Sequence, residues 1–305
     1  MVKFVTRRVI QALVTVFGVL TVTFFLVRLS GNPAALLLGP EATPADVAAL
    51  SEELGFNEPI MTQFGTFLLG AIQGDLGMAL RQNLPAIDLV MMRLPATLQL
   101  ALTSFALGLV LAFAIVIILQ LSGSSKLRNA VLWLASARQA IPSFWLGLLL
   151  VLVFSVQLAL LPALGNRGPS SLILPAITIA TLELALYIRL LDAGFGEQQR
   201  QDYVRTAYSK GQRRSVVILR HMLPNALLPV ITIAGLNLGA LLGGTVIVEL
   251  VFNWPGIGQL LISSISYRDY AVVQAIILVI AIFFVTVNFL VDLLYAALDP
   301  RVRLQ

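Results

Sequence analysis

The chain has 305 residues, of which 58% are hydrophobic and 11% are charged, and its formal net charge is +5. A soluble domain carries about 25% charged residues, so this composition excludes an ordinary soluble domain and predicts a membrane protein. One histidine and no cysteine exclude a His/Cys metal cluster and any disulfide. The basic residues flank apolar runs, which indicates membrane topology rather than nucleic-acid binding.

Six apolar runs are long enough to cross a membrane as helices, which takes about 18 to 20 residues. They are 9–29, 96–119, 130–156, 172–191, 226–251 and 271–298. The sequence therefore predicts an all-α membrane protein with six transmembrane helices. Pro142 inside the third run predicts a kink or a break, whereas Pro175 falls in the first turn of the fourth, where proline is tolerated.

The distribution of basic residues predicts the orientation of these spans. One side of the predicted topology holds Lys3, Arg7, Arg8, Lys126, Arg128, Arg200, Arg205, Lys210, Arg213, Arg214, Arg220, Arg301 and Arg303. Since lysine and arginine accumulate in cytoplasmic loops, both termini are predicted to be cytoplasmic, with 1–8 as the N-terminal flank and 299–305 as the tail.

The segment 30–94 between the first two spans is predicted to lie outside. It is rich in acids and poor in bases, as outer segments are, and it holds Glu41, Asp46, Glu52, Glu53, Glu58, Asp75 and Asp88. A proline and an acid shortly after Thr43 predict a helix that runs to Leu54. The remaining spans form a predicted core, 95–298, which includes a cytoplasmic element at 193–225 and an outer loop at 252–270.

The stretch 202–225 is the longest basic segment between apolar runs. Its first part has an apolar face at helical spacing, made by Tyr203, Val204, Ala207 and Tyr208. Gly211 follows and predicts a helix end with glycine in the left-handed conformation.

A second short helix is predicted after Gly211. Val216, Leu219 and Leu223 would share its apolar side, and Pro224-Asn225 would end it. The whole element is predicted to lie at a membrane surface and to dock against another molecule; a helix held by anionic lipid is the alternative.

No catalytic constellation is apparent. The Gly-x-x-x-x-Gly-Lys-Ser/Thr string is absent, and the single histidine, His221, falls on the predicted cytoplasmic surface. The intramembrane carboxylates Glu183 and Asp292 allow a proton relay. The simpler interpretation is that they pair with Arg189 or Arg138 or reach the interface.

The fifth span carries a strip of small residues at Gly235, Gly239 and Gly243, which lets another backbone approach closely. Two interpretations remain open, packing within the chain and packing against a partner or a translocation path. Asn237 in the same span is either a polar group facing a wet cavity or an ordinary interhelical hydrogen bond.

Several strings resemble one family along nearly the whole chain. They are Gly74-Asp75-Leu76-Gly77, Arg93-Leu94-Pro95-Ala96-Thr97-Leu98, Ile141-Pro142-Ser143-Phe144-Trp145, Asp202-Tyr203-Val204-Arg205-Thr206-Ala207 with Lys210-Gly211, His221 with Asn225-Ala226-Leu227-Leu228-Pro229, the run from Glu249 to Gly258, Arg268-Asp269-Tyr270 and Asp299-Pro300-Arg301. Together they resemble the permease subunit of a bacterial type I ATP-binding-cassette importer. Within that family they are similar to the first permease of dipeptide, oligopeptide, glutathione and nickel importers.

The resemblance implies roles for two groups of residues. The ATPase-coupling residues would be Asp202, Tyr203, Arg205, Thr206, Ala207, Tyr208, Lys210 and Gly211. Of these, Tyr203, Ala207 and Tyr208 would fill a groove of the ATPase. The outer gate and docking surface would include Asn253, Trp254, Pro255, Gly256 and Asp269, although Trp254 is equally suited to anchor at the membrane interface.

The resemblance also implies partners and location. It implies a second permease in a heterodimer, two ATPase subunits that bind ATP and Mg²⁺, and an extracytoplasmic substrate-binding protein. The chain itself would be a multi-pass protein of the bacterial inner membrane, in contact with lipid, with no cofactor and no enzymatic activity of its own. The substrate stays open among dipeptides, oligopeptides, glutathione and a nickel chelate, and an ion-coupled secondary transporter is the alternative from another class.

Two positions depart from the family pattern. Tyr208-Ser209 stands where Arg-Ala is usual, which implies a bulkier coupling helix, and Ala271 follows the Arg-Asp-Tyr string where proline is common.

Overall fold

The computed structural model describes residues 2–29, 33–38, 42–53 and 55–298. The predicted tail, 299–305, and Leu54 at the predicted end of an outer helix lie outside the described residues. The regular structure of the described residues is helical. One isolated antiparallel β-bridge pairs Met78 with Pro85.

The helices follow one another with short connections. They are α1 (Val2–Leu29), α2 (Pro33–Leu38), α3 (Pro44–Glu53), α4 (Ile60–Gln73), α5 (Ala86–Ser122), α6 (Ser125–Ala140), α7 (Ser143–Leu150), α8 (Ile173–Gln198), α9 (Asp202–Ser209), α10 (Arg214–Val216), α11 (Leu223–Ala226), α12 (Leu228–Gly244), α13 (Val246–Val251), α14 (Ile257–Ser266) and α15 (Tyr270–Leu298). Two π-helical segments, Val151–Gln157 and Val217–Met222, and a 3-10 turn, Pro169–Leu172, complete the set.

Five helices of the described chain are long and apolar enough to cross a membrane. They cover Val5–Val27, Ala86–Ser122, Pro169–Gln198, Leu228–Val251 and Tyr270–Leu293. The predicted third span is instead a pair, Ser125–Ala140 and Ser143–Gln157, bent by 102°. The number of crossings is six if this pair counts as one span.

The bend lies at Pro142, where the sequence predicted either a kink or a break. Ile141 has an extended backbone with φ −89° and ψ 121°. Proline disfavours helical geometry in the residue before it and has no N–H to donate. The chain therefore leaves one helix at Ala140 and starts another at Ser143, which is a break rather than a kink.

The second span starts earlier than its apolar run suggests. The helix begins at Ala86, whereas the sequence predicted a start near Ala96, because Pro95 inside the helix does not end it. The predicted outer segment, 30–94, also contains α4, a helix not predicted from the sequence. The predicted start of α3 is confirmed: Thr43 Oγ1 and Asp46 Oδ2 lie 2.6 Å apart and cap its first turn.

The stretch after Gly211 differs from its prediction in two ways. Pro224 does not end the helix: it lies in the first turn of α11, where a missing N–H is not needed. The predicted apolar side is wrong at Val216 and Leu219, which are exposed while Val217 and Met222 are buried. Its third member, Leu223, is half-buried against the same cluster as Val217. A π segment bonds i to i+5 and widens the turn, so a face drawn at α-helical spacing misplaces its residues.

Two buried apolar clusters hold the helices together, and α5 and α8 contribute to both. The outer cluster contains Leu89, Leu100, Leu174, Trp254 and Ile276, among others. The inner cluster is centred on Val116, Tyr187, Leu191, Phe195, Val204, Ala207, Val217 and Met222. The first cluster positions the loop after α13, and the second positions α9.

Candidate functional site

The helix α9 lies with one face on the inner cluster and the other in solvent. Val204 and Ala207 are 3% and 6% exposed, whereas every other residue of α9 is exposed. The predicted contribution of Ala207 to a partner's groove is therefore corrected: its side chain is covered by the chain itself. Of the predicted apolar face, only Tyr203 and Tyr208 stay available at the surface.

Gly211 ends this helix as the sequence predicted. Its φ is +75°, and its N–H donates to the carbonyl of Tyr208 at 2.9 Å. A Cβ at this position would meet nothing within 4 Å. Glycine is therefore required here by the backbone conformation and not by a lack of space.

Tyr203 joins α9 to the helices on either side of it. Its hydroxyl donates to Gln198 Oε1 at 2.6 Å and accepts from Asn225 Nδ2 at 3.1 Å. In the same element, His221 Nε2 lies 2.7 Å from Gln212 Oε1. These bonds and the shared cluster make residues 198–226 one packed unit.

The outward surface of α9 and its end combines aromatic and charged groups. Asp202, Arg205, Thr206, Tyr208 and Lys210 are all exposed. Neither Arg205 nor Lys210 forms an ion pair with a described residue. An exposed aromatic side chain beside unpaired cations is a surface suited to a protein partner with acidic groups.

At the other end of the molecule, Trp254 is fully buried. Its indole Nε1 donates to the carbonyl of Ala96 at 2.8 Å. Both predicted surface roles of Trp254, as a docking residue and as an anchor at the membrane interface, are therefore corrected. Gly256 and Asp269, predicted for the same docking surface, are buried as well. The side chain fastens the predicted outer loop to the start of the second span's apolar run.

Glu249 organises this loop, and the sequence analysis assigned it no role. Its carboxylate is fully buried and accepts from Thr97 Oγ1 at 2.7 Å, from Thr245 Oγ1 at 3.1 Å, and from the N–H groups of Gly258 and Gln259 at 2.7 and 3.1 Å. The sequence did contain a signal for this role: Glu249 is an acid near the end of a span with no basic residue close to it in sequence.

The glycines of the loop leave room for that carboxylate. A Cβ on Gly256 would collide with Thr97 and Glu249, and one on Gly258 would lie 2.6 Å from Val246 Cα. Asn253 has a φ of +49° and accepts a short hydrogen bond from Gln259. Glycine is therefore required at both positions, because only a residue without a Cβ lets the loop backbone lie this close to Thr97, Glu249 and Val246.

Asp269 ties this loop to the predicted outer segment, 30–94. Its Oδ2 accepts the backbone N–H of Leu80 at 2.8 Å. Burial raises its pKa, while the N–H groups of Leu80 and Val272 lower it. Nearby, the guanidinium of Arg81 lies 4.0 Å from the ring centroid of Tyr267.

The glycine strip packs mostly within the chain. A Cβ on Gly235 would come within 2.5 Å of Val291, and one on Gly239 within 3.2 Å of Phe284, both on α15. A Cβ on Gly243 would meet no neighbouring atom of the described residues within 4 Å. The first two glycines therefore serve α12–α15 contact, and only Gly243 leaves open space.

The intramembrane carboxylates have other partners than the sequence suggested. Asn237 donates to Glu183 at 3.0 Å, joining α12 to α8, and Arg8 pairs with Asp292 at 2.9 Å, joining α1 to α15. Arg138 bonds instead to Thr181 and to carbonyl groups. Among the described residues, no group of three or more His, Cys, Asp or Glu side chains could hold a metal ion.

Comparisons with known families cover the chain from end to end. A family model described as "Binding-protein-dependent transport system inner membrane component" matches residues 104–304. A second model, described as the N-terminal part of such a membrane component, matches residues 1–101.

Two similar curated proteins are permeases. The chain is 38% identical over 304 residues to the glutathione transport system permease protein GsiC of Escherichia coli O6:H1, covering 99% of both chains. It is 35% identical over 332 residues to the dipeptide transport system permease protein DppB of Alkalihalophilus pseudofirmus, covering 99% of this chain and all of that one.

Solved structures share the fold at low identity. A chain of the MetNI methionine ABC transporter, in an inward-facing conformation, has a TM-score of 0.60 and 17% identity, and the match covers 70% of this chain and 98% of that one. An amino acid ABC transporter has a TM-score of 0.55 and 15% identity. These likenesses confirm the predicted fold class, that of a type I importer permease.

Proposed function

Because the chain belongs to the family of binding-protein-dependent transport system inner membrane components, we propose that it is the first permease of an ATP-driven importer of short peptides. The full-length similarity to a glutathione permease and a dipeptide permease carries this proposal. The chain is a multi-pass membrane permease. Neither relative is a nickel permease, so peptides are the substrate class to test first.

The partners follow from the same family assignment. A second permease would complete the translocation path, a binding protein would deliver the peptide, and two ATPase subunits would bind ATP and Mg²⁺. The exposed surface of α9, with Tyr208, Arg205 and Lys210, is the proposed docking site for one ATPase. Its aromatic group supplies apolar contact area and its cations supply steering toward acidic groups.

The packing of α9 supports a coupling role. Val204 and Ala207 fix the helix to the inner cluster, and Tyr203 bonds to the end of α8 and to Asn225 just before α12. A displacement of α9 by an ATPase would therefore move both attached spans as one body. A helix lying loosely on lipid would need none of these bonds.

The outer loop is proposed as the gate and the docking surface for the binding protein. Its backbone is held between two spans by Glu249, Thr97 and Trp254. Movement of either span would therefore move the loop, while Asn253 and Tyr267 stay exposed for contact.

The ion-coupled alternative has no support in the comparisons. Glu183, one of the two carboxylates that would carry protons, is bonded to Asn237, and Asp292 is paired with Arg8. Structural roles account for both groups.

Purification of the complex with its partner subunits tests the proposal. We expect Tyr208→Ala to lower ATPase association and ATP-driven peptide uptake. Tyr267→Ala is the matched control for association, since Tyr208 and Tyr267 are 45% and 55% exposed but Tyr267 lies in the predicted outer loop and not on α9. If no ATPase co-purifies with the wild type, or if peptide uptake continues without ATP, the proposal is wrong.

Single cysteines test the proposed orientation, because the chain has none of its own. Ser209 and Asn166 are both exposed and lie at opposite ends of the molecule. In intact cells, an impermeant maleimide should label Asn166→Cys and leave Ser209→Cys unlabelled until the membrane is opened. The reverse pattern would place the termini outside.

A further inference from the structure

A polar cavity of about 410 Å³ lies beside the α9 element, apart from the surfaces discussed above. It is bounded by the turn between α5 and α6, the end of α8 and the start of α10. The polar and charged side chains that line it include Gln120, Arg128, Asp192, Gln199, Arg200 and Arg214. We name this cavity the arginine pocket.

The charges of the arginine pocket do not balance. Arg128 makes two hydrogen bonds to the buried carboxylate of Asp192, at 2.7 and 2.8 Å, which neutralises both groups. Arg214 donates only to the carbonyl of Gln120, at 2.7 Å, and Arg200 has no side-chain partner among the described residues. Two guanidinium charges therefore face the cavity without a counter-charge.

The geometry points to a site that nothing above assigns: we propose that the arginine pocket binds a phosphate-bearing anion. Arginine donors form a planar fork that matches phosphate oxygens. The 16-residue helix α6 also begins at the rim. Ser124 already accepts the N–H of Leu127, so the N–H groups of Ser125 and Lys126 are the ones that add to the attraction for an anion. Pockets that hold small ligands are about 300 to 1,000 Å³ in size, so a phosphate group with its substituent fits.

The place of the pocket suggests both a source and an effect. The apolar helices α5 and α8 end at its wall, and we expect lipid headgroups near the ends of membrane-spanning helices. Arg214 lies three residues beyond Gly211, in the segment that continues from α9. Arg214 already bonds to the end of α5 through the carbonyl of Gln120. A bound phosphate would add a second link from that segment to the α5–α6 turn and stiffen the α9 element, whichever partner docks on it.

The test uses the full complex, with its partner subunits, reconstituted in nanodiscs. One arm compares phosphatidylcholine with phosphatidylcholine containing phosphatidylglycerol. The other adds inorganic phosphate, with chloride at equal ionic strength as the reference. The readout is the unfolding midpoint of the permease as a function of anion concentration, since a ligand bound to the folded state raises it.

The variants are Arg200→Gln and Arg214→Gln, and Arg213→Gln is the matched control. Arg213 is the exposed neighbour of Arg214 and does not line the pocket. We expect wild type and Arg213→Gln to bind alike and the two pocket variants to bind about tenfold more weakly, as loss of a charge-assisted hydrogen bond predicts.

The outcomes separate the sources. A shift with both anions shows that phosphate suffices, and a shift with phosphatidylglycerol alone assigns the site to a lipid headgroup. No shift with either, equal loss in Arg213→Gln, or no loss in the pocket variants would overturn the proposal. So would a shift seen only after the ATPase subunits are removed, since their own acidic groups would then occupy the pocket.

Discussion

The carboxylate of Glu249 accepts a 2.7 Å hydrogen bond from the hydroxyl of Thr97, and both residues are fully buried. The bond joins the end of the fifth span to the second. Thr97 also accepts the N–H of Ile257 at 2.8 Å, and Glu249 accepts that of Gly258 at 2.7 Å. Two side chains from different spans thus hold the backbone where the outer loop becomes α14.

Thr97→Val should loosen this junction. Valine keeps the shape but leaves the N–H of Ile257 without its acceptor and removes a donor to Glu249, which costs about 1 to 3 kcal/mol for a buried group. A lower unfolding midpoint in detergent checks this. Thr21→Val is the control, because the hydroxyl of Thr21 bonds only within its own helix; equal midpoints for the two variants would contradict the role of Thr97.

Gly211→Ala should weaken coupling beyond its effect on stability. Alanine in the left-handed region costs about 1 to 2 kcal/mol, and the same strain arises in Gly165→Ala, where φ is +81°. Neither Cβ would meet a neighbour within 4 Å. Both variants should therefore lose similar stability, but only Gly211→Ala should reduce ATPase association; equal association would show that the end of α9 does not matter for docking.

The glycine strip should respond unevenly to alanine. In Gly235→Ala the new methyl group meets Val291, so overpacking of about 1 to 3 kcal/mol is expected. In Gly243→Ala the methyl group meets no neighbouring atom of the described residues within 4 Å, and helix propensity favours alanine by about 0.5 to 1 kcal/mol. Unfolding midpoints check both; if Gly243→Ala destabilises only the assembled complex, a partner subunit covers that position.

Asp269→Asn should make stability less dependent on pH. Burial raises the pKa of Asp269, so its contribution to stability is fully present below the ordinary aspartate pKa of about 3.9. It is lost as pH rises through the higher folded-state pKa. Near pH 7 the asparagine, which still offers an oxygen to Leu80, should be at least as stable as the wild type; a large loss of stability at pH 7, equal to that of Asp269→Ala, would contradict this.

Much of the local structure could be predicted because it depends on neighbours in sequence. The helix end at Gly211 is one case, since the conformational freedom of glycine belongs to the residue itself. The start of α3 at Thr43 and Asp46 is another. Both rest on interactions that reach no further than one helical turn.

The buried faces were harder to predict than the helix ends. The apolar face after Gly211 was placed on Val216 and Leu219, but the π segment turned Val217 and Met222 inward. Ala207 likewise lies inside, because α9 needs a face to pack against its own chain. Sequence spacing shows that a helix is amphipathic; it does not show which of its neighbours will cover it.

The sequence by itself determined that this protein is helical, lies in a membrane and has a basic element whose first helix ends at Gly211, because hydropathy and glycine geometry act locally. Only the tertiary structure decided the partners of its charges. Glu249 bonds to Thr97, Asp292 pairs with Arg8, and Arg200 and Arg214 line one cavity without an ion-pair partner among the described residues. Such pairings depend on which distant segments pack together, and that is not visible in the spacing of residues along the chain.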